Sequence, residues 1–304
     1  MGSRKAWRTA VAAVAAFLLL VLTPGPARAE ETDPDLLEAA FAMLEEGNPF
    51  AARYEQITGK EITPLFPCGV PYYFGGVAKP SGNGYFYISY PDYYTQVCGH
   101  SSGYFCKGQR YFYGVDCAGF VNYVYLAAKH KQLPHLGDML TEWSCRAFHV
   151  YDHQEGKEAP PYDQLKDTLI PGDLLVIRHE EGNRYRHVMM YIGTLRDFGY
   201  TAEDEPALAD WLDYPLVIHC GLSPFYGERF QKVIEENPEK YGQCLTTDGG
   251  VAVSILGVPP EEAPAHGHVQ KTDYDWFEMN DGGYVLSLIN LKDVKYYAWY
   301  RDDR

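Results

Sequence analysis

Three side chains in this 304-residue sequence can be read together as a nucleophilic site: Cys117, His187 and His219. A cysteine attacks carbonyl carbon as its thiolate, and two local features favour thiolate near neutral pH, a helix N-terminus and a neighbouring imidazole. Cys117 has the first by position, since it follows Asp116 and precedes Gly119 at the opening of a segment with helical spacing. Backbone N–H groups at such an opening favour negative charge and can hold the oxyanion of a tetrahedral intermediate. His187 opens an alternating segment that puts His187, Met189 and Tyr191 on one strand face. His219 falls in the next strand-like segment, where its ring can orient His187 as the third member of a triad. Taken singly, Cys117 is a core cysteine and each histidine a satisfied strand residue; the set of three is what points to catalysis.

The elements that must hold these residues follow from periodicity. From Asp116 to His130, Phe120, Val121, Val124, Tyr125 and Ala128 recur at helical spacing, with Asp116 as N-cap. Pro171-Gly172-Asp173 turns into a strand at 174–177, and after the turn at 180–183 a second strand runs from His187 to Ile192, making an antiparallel hairpin. The next strand, Leu216 to His219, is reached through an acidic segment. Three further strands are expected at 251–256, 284–289 and 296–300. Upstream, a helix from Asp35 to Glu46 is stopped by Gly47-Asn48-Pro49, and a shorter one covers 50–58 before Gly59. The Gly-, Pro- and Tyr-rich stretch from Pro64 to Gly114 reads as irregular loop. Helices first and an antiparallel sheet after them make the fold class α+β.

Composition narrows the partners. The net charge is −15, and the first 29 residues hold four basic residues and no acid, so the remainder has 22 basic against 41 acidic residues, −19. No run of Lys and Arg follows residue 29, which excludes nucleic acid as a partner. The N-terminus reads as a secretory signal peptide, with a basic stretch to Arg8, an apolar run from Val11 to Leu22, and a small-x-small site at Ala27-Arg28-Ala29. That run of 12 is short of the roughly 20 residues a membrane-spanning helix needs. The expected location is extracytoplasmic, and the mature chain has no integral membrane segment. The seven cysteines, an odd number, leave one reactive thiol if the other six pair; Cys98 with Cys106 and Cys220 with Cys244 are the locally plausible bridges. Cys98, His100 and Cys106 are at most half a zinc site, and His266 and His268 sit in a loop, so neither a metal nor a cofactor is expected. Phosphate-loop and dinucleotide motifs do not occur.

Five segments in order resemble the NlpC/P60 cysteine peptidases: Gly69-Val70-Pro71-Tyr72-Tyr73-Phe74-Gly75-Gly76, Asp116-Cys117-Ala118-Gly119-Phe120, Pro171-Gly172-Asp173-Leu174, His187 to Gly193, and Val217-Ile218-His219. The resemblance implies a papain-like α+β fold, with the nucleophile helix packed on an antiparallel sheet. It implies hydrolysis of peptidoglycan stem peptides, commonly between D-γ-glutamate and a diamino acid, so that bacterial cell-wall peptidoglycan or its muropeptides are the partners. Carried over, Cys117 is the nucleophile, His187 the general base and His219 the polar orienting residue, while Tyr72 lines the substrate cleft. In members that demand a free L-Ala amino group, the amine is held by the residues matching Tyr72 and Asp116 and by a serine after the cysteine. Here that serine is Ala118.

The sequence also departs from the family in length, with 39 residues from Val77 to Val115 where a few are usual and 85 residues after His219. The resulting organisation is a signal peptide at 1–29, a helical segment at 30–66 and a catalytic domain at 67–304 with insertions at about 77–115 and 194–215 and a C-terminal extension. Two rival readings are an amidase or acyltransferase using the same Cys-His-His site, since an amine can take a thioester as water does, and a non-catalytic cell-wall-binding protein on the same scaffold.

Overall fold

The computed structural model describes residues 35–73, 114–131, 133, 162–178, 185–223, 225–242, 244, 247–257, 275–291 and 297–301, together with short strands at 79–80, 86–87, 93–95, 110–112 and 148–153. The leader at 1–29, Cys98, Cys106, Cys145, His266 and His268 lie outside these residues, as do the side chains of the Tyr-rich segment at 85–94. No helix among the described residues is long and apolar enough to cross a membrane.

Helix α1 is Leu36–Phe41, with the Asp35 carboxylate accepting from Glu38 N at 2.8 Å. It ends five residues before the position its apolar spacing suggests. The Met43 and Leu44 amides reach back only three residues, to Ala40 and Phe41 carbonyls, and this tightening turns the chain. Asn48 then caps α2, Pro49–Thr58, which closes at Gly59 in the left-handed conformation. The stretch expected to be irregular loop contains two antiparallel ladders, β1 (Lys79–Pro80) with β2 (Phe86–Tyr87) and β3 (Tyr93–Thr95) with β4 (Arg110–Phe112). Helix α3 is Cys117–Lys129, as the spacing predicts.

One eight-stranded sheet follows. Its members are β5 (Phe148–His153), β6 (Leu174–Arg178), β7 (Tyr185–Thr194), β8 (Pro215–Leu222), β9 (Gly249–Leu256), β10 (Asp275–Glu278), β11 (Val285–Ile289) and β12 (Tyr297–Arg301). Helices α4 (Tyr226–Glu236) and α5 (Pro238–Tyr241) lie between β8 and β9 in the chain. The strand order is β10-β11-β9-β8-β7-β6-β12-β5. Every neighbouring pair is antiparallel except β9 and β11, so the sheet is mixed rather than antiparallel throughout. The cause is the edge hairpin: β10 takes the outer position and β11 folds back between it and β9, which sets β11 parallel to β9.

Alternation sorts the strands onto two cores. On one side Val188, Met190, Ile218, Cys220, Val251 and Val253 pack with Phe120, Val121 and Val124 of α3 and with α1 and α2. On the other, Leu175, Ile177, Met189, Tyr191, Val217 and Trp299 pack with Leu165 from a 3-10 turn at Tyr162–Asp167. The acidic 194–215 segment is built into the first core through Phe198, Tyr200, Leu208 and Trp211. The Pro171-Gly172-Asp173 turn ties three elements together. Tyr125 of α3 donates to Gly172 O at 2.9 Å, Tyr191 N to Asp173 O at 2.8 Å, and Arg301 of β12 makes a two-pronged bond to the Asp173 carboxylate at 2.8 and 2.6 Å.

The residues after His219 are thus structural members of the sheet and not an appendage. β9 flanks β8, and β12 lies between β6 and β5. A chain ending at residue 291 should therefore fail to fold cooperatively, because it exposes the β6 edge and removes the fully buried Trp299. Trp299→Ala alone should lower stability by about 3–5 kcal/mol. Circular dichroism melts of both variants test this, and native-like melting of the truncated chain would contradict it.

Candidate active site

Four segments carry the candidate residues: the chain at Tyr72, the opening of α3, the start of β7 and the end of β8, both strands being interior to the sheet. Tyr72 and Val115 form a bridge, Tyr72 N donates to Gly249 O at 2.8 Å, and Thr247 Oγ1 donates to Tyr72 O at 2.8 Å. Two residues past Val115 the chain enters α3 at Cys117, which is buried, while Tyr72 stays half-exposed. The start of β7, carrying His187, lies beside the end of β8, carrying His219.

The helix opening is organised by Asp116. Its Oδ1 accepts from Ala118 N at 3.0 Å and Gly119 N at 2.8 Å, and its carbonyl accepts from Phe120 N at 2.9 Å. Such a cap contributes about 1 kcal/mol to stability. It also revises the expectation that several helix-start amides serve an oxyanion. Those of Ala118 and Gly119 are committed to the cap.

The two histidines meet as their spacing suggests. His187 Nε2 and His219 Nδ1 are 3.1 Å apart, with the rings edge to face. His187 pairs with Ile177 of β6, and continuing the Met190↔Ile218 register toward the start of β7 puts Gly221 opposite His187. A Cβ on Gly221 would stand 3.3 Å from both His187 Cε1 and His219 Nδ1, so the imidazoles lie down against a residue that has no side chain. His219 is 3% exposed. Burial, with His187 beside it, holds its pKa well below the usual 6.5 and keeps it neutral.

Cys220 and Gly221 are the two β8 residues that join the histidines to the helix start. Cys220 Sγ points to Val115 O at 3.3 Å, and burial together with Asp116 and Cys117 nearby pushes its thiol pKa well above the ordinary value. The locally plausible Cys220–Cys244 bridge does not form, and Cys220 faces Val115 across the core. Cys68 likewise carries a thiol, near Gly69 O and the Tyr226 hydroxyl, and burial pushes it up to about 12. An all-but-one pairing of the seven cysteines is therefore ruled out, since Cys68, Cys220 and Cys244 join Cys117 as thiols.

Two site residues escaped the sequence reading. His219 Nε2 is 3.1 Å from Ser254 Oγ on β9, and Ser254 Oγ is 2.6 Å from Ser287 Oγ on β11. Their one sequence signal is polarity out of place, a serine inside Val251-Ala252-Val253-Ser254-Ile255-Leu256 and another inside Val285-Leu286-Ser287-Leu288-Ile289. A buried hydroxyl left without a partner costs about 1–3 kcal/mol, so each of these strands needs the other's serine.

Comparison with known proteins gives one family match. Residues 69–203 fit the model of the NlpC/P60 family, whose members are cell-wall peptidases and hydrolases. That stretch holds Tyr72, Asp116, Cys117 and His187 and ends before β8, so His219, Ser254 and Ser287 lie beyond it. Neither a curated protein nor a solved structure matches the chain.

Two measurements follow from the electrostatics. In denaturant, a thiol titration should count at least four groups, whereas in the folded protein Cys68 and Cys220 should stay unlabelled at neutral pH; early labelling of Cys220 would contradict its burial. His219 titrates near 6.5 when unfolded and lower when folded, so below about pH 6.5 the unfolded chain binds a proton that the folded chain refuses. The melting temperature should therefore fall as pH drops from 7 to 5, and His219→Asn should flatten that slope.

Proposed function

Because this chain carries an NlpC/P60 family domain, we propose that it is a secreted cysteine peptidase that hydrolyses peptidoglycan stem peptides at the bond between D-γ-glutamate and the diamino acid. The observation that carries this reading is the His187–His219 hydrogen bond, made with a buried, neutral His219 on β8, whose neighbour Cys220 reaches Val115 two residues before Cys117 opens α3. The basic stretch, apolar run and Ala27-Arg28-Ala29 support export, with Glu30 first in the mature chain.

In this mechanism His187 directs Nε2 to His219, so Nδ1 takes the proton from Cys117. The thiolate attacks the scissile carbonyl, and the Cys117 amide with the helix dipole holds the oxyanion. The His187 imidazolium then gives its proton to the departing amine as the C–N bond breaks, leaving a thioester. Water, deprotonated by His187, cleaves the thioester and returns the proton to sulfur. A carboxylate in place of His219 would bind the imidazolium more tightly. A neutral imidazole orients the base without adding a buried charge.

Amine selection is expected to be weak. The family's serine hydroxyl is the methyl of Ala118, and Asp116 Oδ1 is committed to two amides. A hydrogen bond to a charged group contributes about 1.5–3 kcal/mol, so losing it reduces selection for a free L-Ala amine by about ten- to a hundredfold. Digestion of purified muropeptides with mass identification of the fragments tests the bond assignment, with Cys117→Ser and His187→Ala as inactive but folded controls. Fragments ending elsewhere than at D-glutamate would overturn it. Stem peptides with and without an acyl cap on L-Ala should differ in kcat/KM by less than about a hundredfold; a larger preference for the free amine would refute the role given to Ala118.

A further inference from the structure

We propose that Ser254 and Ser287 are positioning residues of the catalytic site, extending the Cys117–His187–His219 triad into a five-residue relay that selects the working tautomer of both histidines. The inference rests on the reading of Cys117 and His187 as nucleophile and base, and goes beyond it by giving the third residue its own support.

The argument is one of donors and acceptors. A neutral imidazole has one N–H and one lone pair, so the bond made at one nitrogen dictates the role of the other. When His187 accepts the thiol proton at Nδ1, its Nε2–H must donate, and the atom 3.1 Å away is His219 Nδ1. His219 then accepts at Nδ1 and keeps its single proton on Nε2, which faces Ser254 Oγ at 3.1 Å. Ser254 must accept there, so its own hydroxyl proton has to point elsewhere. The partner is Ser287 Oγ at 2.6 Å, directly across the β9–β11 pair. With Ser254 donating to Ser287, a lone pair of Ser254 is turned to His219 and the whole chain runs in the direction that an imidazolium at His187 requires. The opposite direction would give His219 an Nδ1–H aimed at His187, pushing the His187 proton onto Nδ1, where it cannot accept from sulfur.

The surroundings favour a dedicated relay over incidental contacts. Ser254 is 0% exposed and Ser287 5%. They occupy the same alternation as His219, Ser254 facing Val217 across β8–β9. The titratable groups on the elements around the pair of rings include Tyr191 on the same face of β7, Asp163, Lys166 and Asp167 of the 3-10 turn on that side of the sheet, Cys117 and Asp116 at the opening of α3, Cys220 on β8, Tyr72 beside β9 and Asp248 just before it. Cys220 has its thiol turned to Val115 O. The bond made by His219 Nε2 is to Ser254.

The experiment is the pH dependence of Cys117 alkylation by iodoacetamide, measured on the full exported chain for wild type, Ser254→Ala, Ser287→Ala and Ser254→Thr, which needs no knowledge of the substrate. Wild type should show a thiolate–imidazolium plateau bounded by two titrations. Ser254→Ala should narrow the plateau from both sides, by about half a pH unit each, because the imidazolium loses its oriented acceptor. On each limb its alkylation rate at a given pH should fall about threefold, the size of a half-unit shift. Ser287→Ala should shift the limbs the same way by less, and Ser254→Thr, which keeps the hydroxyl, should restore them. Should Ser254→Ala fail to fold, the Ser287→Ala and Ser254→Thr profiles decide. A wild-type plateau left unmoved by both alanine variants, whatever happens to their thermal stability, overturns the relay. A wild type with no plateau at all instead refutes the nucleophile–base reading beneath it.

Discussion

The register between β7 and β8 is the constraint on which the site depends. Both faces of this sheet are buried, one under α3 and the first core, the other under the 3-10 turn and Trp299. Side chains alternate with period two, so a slip of one residue would exchange Val188, Met190, Ile218 and Cys220 with Met189, Tyr191 and Val217 and disrupt both cores together. The same register sets His219 diagonally from His187 and leaves Gly221 opposite it, with nothing in the way of the two rings. The geometry of the histidine pair is thus enforced by several buried apolar side chains on either side of it rather than by its own single hydrogen bond.

Around that pair the protein keeps charge low. His219 is neutral because it is buried and faces another imidazole, and the two hydroxyls behind it are also neutral. The Cys220 thiol, next to His219 in the chain, is held protonated by burial beside Asp116 and Cys117. This differs from a site that stabilises its base with a carboxylate, where burying the charge costs several kcal/mol before any attraction is recovered. A chain whose described site lacks a carboxylate behind its base gains orientation at little electrostatic cost, provided every donor finds an acceptor. The serine pair meets that condition.

The C-terminal third has a part in the same economy of contacts. β9 covers the free edge of β8 and brings Ser254 to His219; β11 brings Ser287 to Ser254; β12 completes the sheet on the other side and locks onto Asp173 through Arg301. Residues beyond the family match are therefore built into the same sheet as the matched segment and reach the histidine pair. The insertion at 194–215 is woven in likewise, since its aromatic residues fill the first core and Glu205 accepts from the Asn280 and Asp281 amides.

What the sequence determined by itself is what short-range rules control. Asp116 as a cap, the α3 face, the 174–192 hairpin, the strand that carries His219, and the place of Cys117 at a helix opening all follow from capping chemistry and from periods of 3.6 and 2 within a dozen residues. These rules brought Cys117, Asp116, His187, His219 and Tyr72 forward as the site. Tertiary structure alone decided how far α1 runs, because a three-residue turn rather than the apolar spacing ends it. It also decided that β11 lies parallel to β9, that β12 is an interior strand, that Cys220 faces Val115 instead of Cys244, and that two serines 33 residues apart share a hydrogen bond behind His219. Each of these depends on which distant segments become neighbours when two cores are filled at once, and no local pattern carries that information. A serine in an apolar strand shows in the sequence that a partner must exist, because a buried hydroxyl needs one; only the strand order shows which residue it is.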